Sequence, residues 1–171
     1  AAPDLRPGLA RFVRGADRVV APLGFGLVGL LYLHAAVGLA VLPPEVDPTA
    51  QMRGWNGFAA DVEALRREQG AGWIAVPSYP LAGQFTRRLG TERVVHLDEP
   101  ARYAHLAPPD PAMLAEPAIL VTRARKDFAA RYRDRFDRIE KIGTLDRTVR
   151  GRVVDTYAVY RLTGAHGDPR R

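Results

Sequence analysis

The chain has 171 residues, no cysteine and a formal net charge of +6. Without cysteine there is no disulfide framework, no thiolate metal site and no cysteine nucleophile. The bases are interspersed with acids, as in Arg131-Tyr132-Arg133-Asp134-Arg135, and no zinc-finger or RNP motif accompanies them. Nucleic acid is therefore not expected as a partner. A solvated face is the plain reading of this charge, and lipid phosphate near a membrane the better functional one.

Residues 1–18 carry Pro3, Pro7, Gly8 and Gly15 and read as a loop. Val19 to Leu42 contains no Asp, Glu, Lys or Arg. A bilayer core needs about 20 apolar helical residues, so 19–42 is expected to be a transmembrane helix. Pro22 is expected in its first turn, where a missing N–H does little harm. Gly24, Gly26, Gly29 and Gly38 suit close helix packing in a membrane. The one ionisable side chain, His34, can stay neutral. Gly24 to Gly29 also fits G-x-G-x-x-G, but the helix that follows is apolar on every side and the next acid, Glu45, comes only after Pro43-Pro44. A secretory signal would have a shorter apolar run and a starting Met, and a buried core helix would show one polar face.

Arg6, Arg11, Arg14 and Arg18 precede the span, against Asp4 and Asp17, while Glu45 and Asp47 follow it. The positive-inside rule makes 1–18 a cytoplasmic loop and puts everything after Pro44 outside. The expected location is the inner membrane, with residues 43–51 as a linker to an extracytoplasmic domain over 52–164. The chain starts Ala-Ala-Pro, so it is expected to be a piece of something longer.

In the domain, Asn56 is expected to cap a helix from Gly57 to about Gln69, with Phe58, Val62 and Leu65 buried. Trp73 to Val76 reads as a buried strand. Pro80 opens a second helix with Leu81, Phe85 and Leu89 on one face, stopped by Gly90. Arg93 to Leu97 is a second strand. Residues 99–117 are a proline-rich loop with a short helix near Ala112 to Glu116. Ala118 to Thr122 is a third strand. Asp127 is expected to cap a helix carrying Phe128, Tyr132 and Phe136, whose end is open, because Ile139 and Ile142 fit either a helical stripe or a strand. Val153 to Leu162 is a strand expected to pair with residues near 138–147 through a turn at Arg150-Gly151. Residues 165–171 are expected to be a flexible tail.

This alternation predicts a small three-layer α/β domain with a mostly parallel sheet and an antiparallel C-terminal pair. Ligands in such sheets lie beyond the carboxyl ends of the strands. That edge would show Ser78 and Tyr79, then Asp98 and Glu99, then Arg123 and Arg125, with Arg102 and Tyr103 folding over it. No catalytic constellation emerges. Ser78 lacks the glycines of a nucleophile elbow, and adjacent Asp98-Glu99 do not by themselves face one bond. His96, Asp98 and His105 could meet as metal ligands but match no specific motif, and His96 on an apolar strand reads as a core residue. Trp55 and Trp73 read as core or membrane-interface residues.

A final span is followed by Asp47-Pro48, Gly54-Trp55, Gly72-Trp73-Ile74-Ala75, Ser78-Tyr79 with Gly83-Gln84, Val94-Val95, Arg102-Tyr103 and a Tyr157–Tyr160 strand. In this order the chain resembles the C-terminal part of family 39 glycosyltransferases, multi-spanning enzymes of the polyprenyl- or dolichyl-phosphate-mannose mannosyltransferase and aminoarabinose-transferase type. The resemblance implies transfer of a sugar from a polyprenyl-phosphate donor to an acceptor at the outer face of the membrane. It also implies that the essential acids lie in an earlier loop, outside this chain. The chain would then hold no catalytic residue and no cofactor of its own, a divalent metal in the whole enzyme being left open. Tyr79, Gln84, Asp98, Arg102 and Tyr103 are the candidate ligand-binding residues. The implied partners are the bilayer, the remaining membrane part of the enzyme, and a lipid-linked sugar or acceptor. The alternative is a membrane-anchored, non-enzymatic binding domain for a cell-envelope ligand or partner.

Overall fold

A computed structural model describes residues 7–37, 43, 47–98, 100–103 and 107–170. The chain is α/β, with one N-terminal apolar helix and one five-stranded mixed sheet. It divides into two units, Ala1–Thr49 and Ala50–Arg171.

The first unit is built on α1, Pro7–Val37. The helix starts well before Val19, so the lead expected as a loop is helical from Pro7, a residue suited to a first turn. Pro22 consequently sits inside the helix and not in its first turn; its missing N–H cannot bond the carbonyl of Arg18. Arg18–Val37 is long and apolar enough to cross a membrane. Its apolar side chains are exposed around the helix, among them Leu23, Phe25 and Tyr32. The last residues of the expected span, 38–42, lie outside the described residues. His34 is buried, with Nε2 3.1 Å from Asp47 Oδ1. The same carboxylate accepts from the Thr49 N–H and hydroxyl, each at 2.8 Å. The linker holds a single helical turn, α2, Pro48–Gln51.

In the second unit α3 spans Trp55–Glu68. Gly54, at φ 75°, takes the N-cap position instead of Asn56. Asn56 falls in the first turn, and its Oδ1 accepts from Arg88 Nε at 2.7 Å. β1 is Trp73–Val76, α4 Tyr79–Leu89, β2 Val94–His96, α5 Pro111–Ala115 and β3 Ala118–Arg123. Pro80 opens α4, and Gly90, at φ 92°, closes it. Asp110 caps α5 by accepting the Ala112 N–H at 2.9 Å.

The region after β3 differs most from expectation. Asp127 does accept the Ala129 N–H, at 2.9 Å, but the segment that follows, Ala129–Arg135, is a 3-10 helix with Phe128 at its N-cap position, and not an α-helix. Phe136 then begins β4, Phe136–Val149, which pairs along its length with β5, Arg152–Ala165. The two-residue turn Arg150-Gly151 has both φ values positive, 53° and 75°, the twist that suits a tight hairpin. The segment expected as a flexible tail is tied down. Arg135 Nη1 donates to the Leu97 and Pro169 carbonyls, both at 3.0 Å, and the His166 N–H donates to the Arg135 carbonyl.

The strand order is β2-β1-β3-β5-β4. β1 is parallel to β2 and β3, and β5 is antiparallel to β3 and β4, so the sheet is mixed, with a parallel part and an antiparallel C-terminal pair. Alternate residues of each strand face opposite cores. On one face α3 and α4 pack Phe58, Val62, Leu81 and Phe85 over Ile74, Val76, Ile119 and Val121. On the other, α5 and the 3-10 segment pack Leu114, Ala129 and Tyr132 over Trp73, Val95, Leu120 and Leu162. Full burial of each large apolar side chain stabilises by roughly 1.5–3 kcal/mol. The arrangement leaves the carboxyl ends of β1, β2 and β3 along one rim.

Candidate functional site

That rim opens into a crevice of about 610 Å³. Ser78 and Tyr79 reach it from the end of β1, Asp98 from the end of β2, and Arg123 from the end of β3. The chain after β3 adds Lys126, Phe128 and Arg131, and the 3-10 turn Pro100–Tyr103 adds Arg102. Trp55, Thr122 and Tyr157 line it from the core side. Among the described residues its lining carries four cations, Arg102, Arg123, Lys126 and Arg131, against one carboxylate, Asp98.

Aromatic rings position the cations. The Arg102 guanidinium lies 5.6 Å from the centre of the half-exposed Tyr79 ring. Phe128 has Lys126 Nζ at 5.4 Å and the Arg131 guanidinium at 5.1 Å. Such placement attracts a cation to the ring quadrupole. Thr122 shapes the loop beneath: its hydroxyl donates to the Lys126 carbonyl at 3.2 Å and accepts the Phe128 N–H at 3.3 Å.

The carboxylates are engaged within the protein. Asp98 Oδ2 lies 3.3 Å from Arg131 Nη1 and accepts from the Tyr132 hydroxyl at 3.1 Å. Burial, followed by the charge of Asp98, pushes the Tyr132 hydroxyl well above the usual phenol range, so it remains a donor. Asp155, buried beside the crevice, faces Arg123 Nε at 3.0 Å and Arg125 Nη2 at 3.7 Å. The Tyr157 ring is locked by Phe58 and Trp55, at centroid distances of 4.5 and 6.3 Å. Its buried hydroxyl makes no hydrogen bond among the described residues. Arg123 approaches this hydroxyl, but its Nε faces Asp155.

Of the residues singled out from sequence, Tyr79, Asp98 and Arg102 meet in the crevice. Gln84 does not. It lies on α4, and its Oε1 accepts from Arg88 Nη1 at 2.7 Å. Tyr103 ends the turn that carries Arg102, and its side chain lies outside those described. Glu99 and His105 also lie outside the described residues. His96 is buried on β2 and borders a separate pocket of about 320 Å³ with Met113 and Arg170. No three His, Asp or Glu side chains are grouped to hold a metal among the described residues. Trp55 and Trp73 are both core residues; their indole N–H groups donate to the carbonyls of Gln51 and Glu116 at 2.9 and 3.1 Å.

Sequence reading missed Lys126, Phe128, Arg131 and Tyr157 as crevice residues. Phe128 and Arg131 sit on a segment expected as a regular helix, and Lys126 lies just before it. Tyr157 pairs across the sheet with Arg123, so its placement follows only from the register of β3 against β5. Chemically, the crevice brings together several cations, a buried phenol and an exposed ring. No family model, no curated protein and no solved structure matches the chain.

Proposed function

We propose that this chain is the C-terminal region of a family 39-type membrane glycosyltransferase: one transmembrane helix followed by an extracytoplasmic accessory domain, not catalytic by itself. The enzyme would transfer a sugar from a polyprenyl-phosphate donor to an acceptor at the outer face of the membrane, and the crevice would help to receive one of them. The observation that carries this reading is the meeting of Tyr79 and Arg102 at the carboxyl ends of the strands. Both belong to the short motifs on which the resemblance rests, and they are far apart in sequence. The apolar helix Arg18–Val37 supports the membrane part of the reading.

The test compares the full gene product with this chain alone, in membranes supplied with a polyprenyl-phosphate-linked sugar. Transfer by the gene product and none by the isolated chain is the expected result. A gene that starts within a few codons of Ala1, giving a product without transfer activity, would remove the transferase reading.

The second reading is a membrane-anchored, non-enzymatic binding domain. It is favoured by one observation: every crevice residue lies in the second unit, which has its own core on both faces of the sheet. Further apolar spans with an acidic pair in the first outer loop would favour the transferase over this binder.

A further inference from the structure

We infer that the corner where the β4–β5 hairpin meets the first turn of the second unit docks on an anionic lipid surface. Met52 and Val153 are its apolar contacts, and Arg53 and Arg152 the charges that meet lipid phosphate. The inference rests on reading Arg18–Val37 as a span, which brings a bilayer to this domain.

The first argument is shape. β3 ends at Arg123, opposite Tyr157, so residues 152–156 of β5 lie beyond it and their strand partners are on β4. The hairpin therefore overhangs the body of the sheet and ends in the Arg150-Gly151 turn. The chain that enters the domain packs against this overhang. Arg147 donates to the carbonyls of Ala50 and Arg53, and a Cβ on Gly54 would meet the Thr148 carbonyl and Val149 Cγ2. Val149 pairs in turn with Arg152, and Thr148 with Val153. Met52 and Arg53 thus stand beside the projecting tip.

The second argument is what the corner shows to its surroundings. In the second unit the exposed large apolar side chains are Met52 at 69%, Tyr79 at 55% and Val153 at 44%. A single exposed apolar residue is ordinary, but two of these three share one projecting corner. Segments 48–60 and 147–154, which build it, contain four arginines and no Asp or Glu. Arg147 is buried against Trp55, while Arg152 is exposed and Arg53 partly so. The acids that flank the hairpin segment turn inward: Asp146 accepts the Thr156 hydroxyl at 2.6 Å, and the buried Asp155 faces Arg123 and Arg125. An arginine lays its stem along apolar surface and keeps its head among phosphates, and basic residues beside apolar ones suit an interfacial anchor. A stable protein interface needs a broader apolar centre than two side chains, which favours lipid as the occupant.

The chain has no cysteine, so a single introduced one takes a nitroxide label at a chosen place. The whole chain is placed in phosphatidylglycerol nanodiscs with the label at Met52→Cys or Val153→Cys. Leu27→Cys on α1 and Lys141→Cys, on β4 far from the turn, are the references. Relaxation by oxygen against a water-soluble nickel complex reads immersion. Labels at 52, 153 and 27 should favour oxygen, and the label at 141 nickel. High salt, phosphatidylcholine nanodiscs, or Arg53→Gln with Arg152→Gln should move the labels at 52 and 153 towards nickel. Each arginine near an anionic surface contributes roughly a five-fold preference for the docked state.

The inference is overturned if the labels at 52 and 153 favour nickel on phosphatidylglycerol while the label at 27 favours oxygen. That outcome leaves the span standing and the corner to a protein partner. Equal immersion on phosphatidylcholine, or with both arginines replaced, would also overturn it, because the charge would then play no part. A label at 27 in water, with those at 52 and 153 in lipid, would sink the span reading alone.

Discussion

The guanidinium of Arg147 lies 4.4 Å from the centre of the Trp55 ring, and both side chains are buried. Arg147 also donates to the carbonyls of Ala50 and Arg53, at 3.1 and 2.6 Å, and to Gln51 Oε1 at 3.2 Å. One buried cation therefore fixes the start of the second unit to β4. Replacing it by Met should cost about 2–4 kcal/mol, because several acceptors lose their donor at once. Arg147→Lys should recover only part of this, since an ammonium cannot reproduce a planar fork that also stacks. Urea unfolding followed by circular dichroism measures both.

Gly54 is the neighbouring constraint. It sits at φ 75°, and a Cβ there would lie 2.3 Å from the Thr148 carbonyl oxygen. Gly151 has the same φ of 75° but meets nothing within 4 Å. Gly151→Ala should therefore cost only the left-handed backbone penalty, roughly 1–2 kcal/mol. Gly54→Ala should cost clearly more, because rigid backbone must also move. Thermal unfolding of the two variants side by side gives the comparison.

Glu63 gathers Arg66, Arg67 and Arg93 at 2.7, 2.8 and 3.6 Å. The hydrogen bond from Arg66 is the main reason its carboxyl falls from 4.5 to about 2. A carboxyl with a depressed folded pKa adds stability above its unfolded pKa and loses it as pH falls through the folded one. This contribution should be complete above about pH 4.5 and vanish progressively towards pH 2. Glu63→Gln should lower the thermal midpoint at pH 7 and flatten its decline over that window.

For α1, Leu27→Asp places a charge near the middle of the proposed span. The expected penalty for insertion is about 2.5–3.5 kcal/mol. Extraction at alkaline pH should leave the wild type in the membrane fraction and release more of the variant. Equal retention of the two would count against a span at this position.

Where a segment had one dominant local pattern, its element was readable from sequence. Trp73 to Val76 is a short apolar run between breakers, and Pro80 and Gly90 bracket α4. β4 was obscured for a physical reason. Ile139, Ile142 and Leu145 recur every three residues and imitate a helical stripe. The register against β5 shifts between Lys141 and Gly143, so an extra residue, Ile142, enters the strand. This bulge exchanges the faces: Ile139 packs on one core, Ile142 and Leu145 on the other. For the crevice, the rule of strand carboxyl ends was enough to place Tyr79, Asp98 and Arg102. Tyr157 required the pairing of β3 with β5, a non-local fact that periodicity does not carry.

The most direct test of the account is sugar transfer from a polyprenyl-phosphate donor by the full gene product, wild type against Arg102→Ala, at matched expression in membranes. Arg102 is exposed at the crevice rim, so its removal should leave folding intact and lower transfer several-fold. An unchanged rate would contradict a role for the crevice in the reaction.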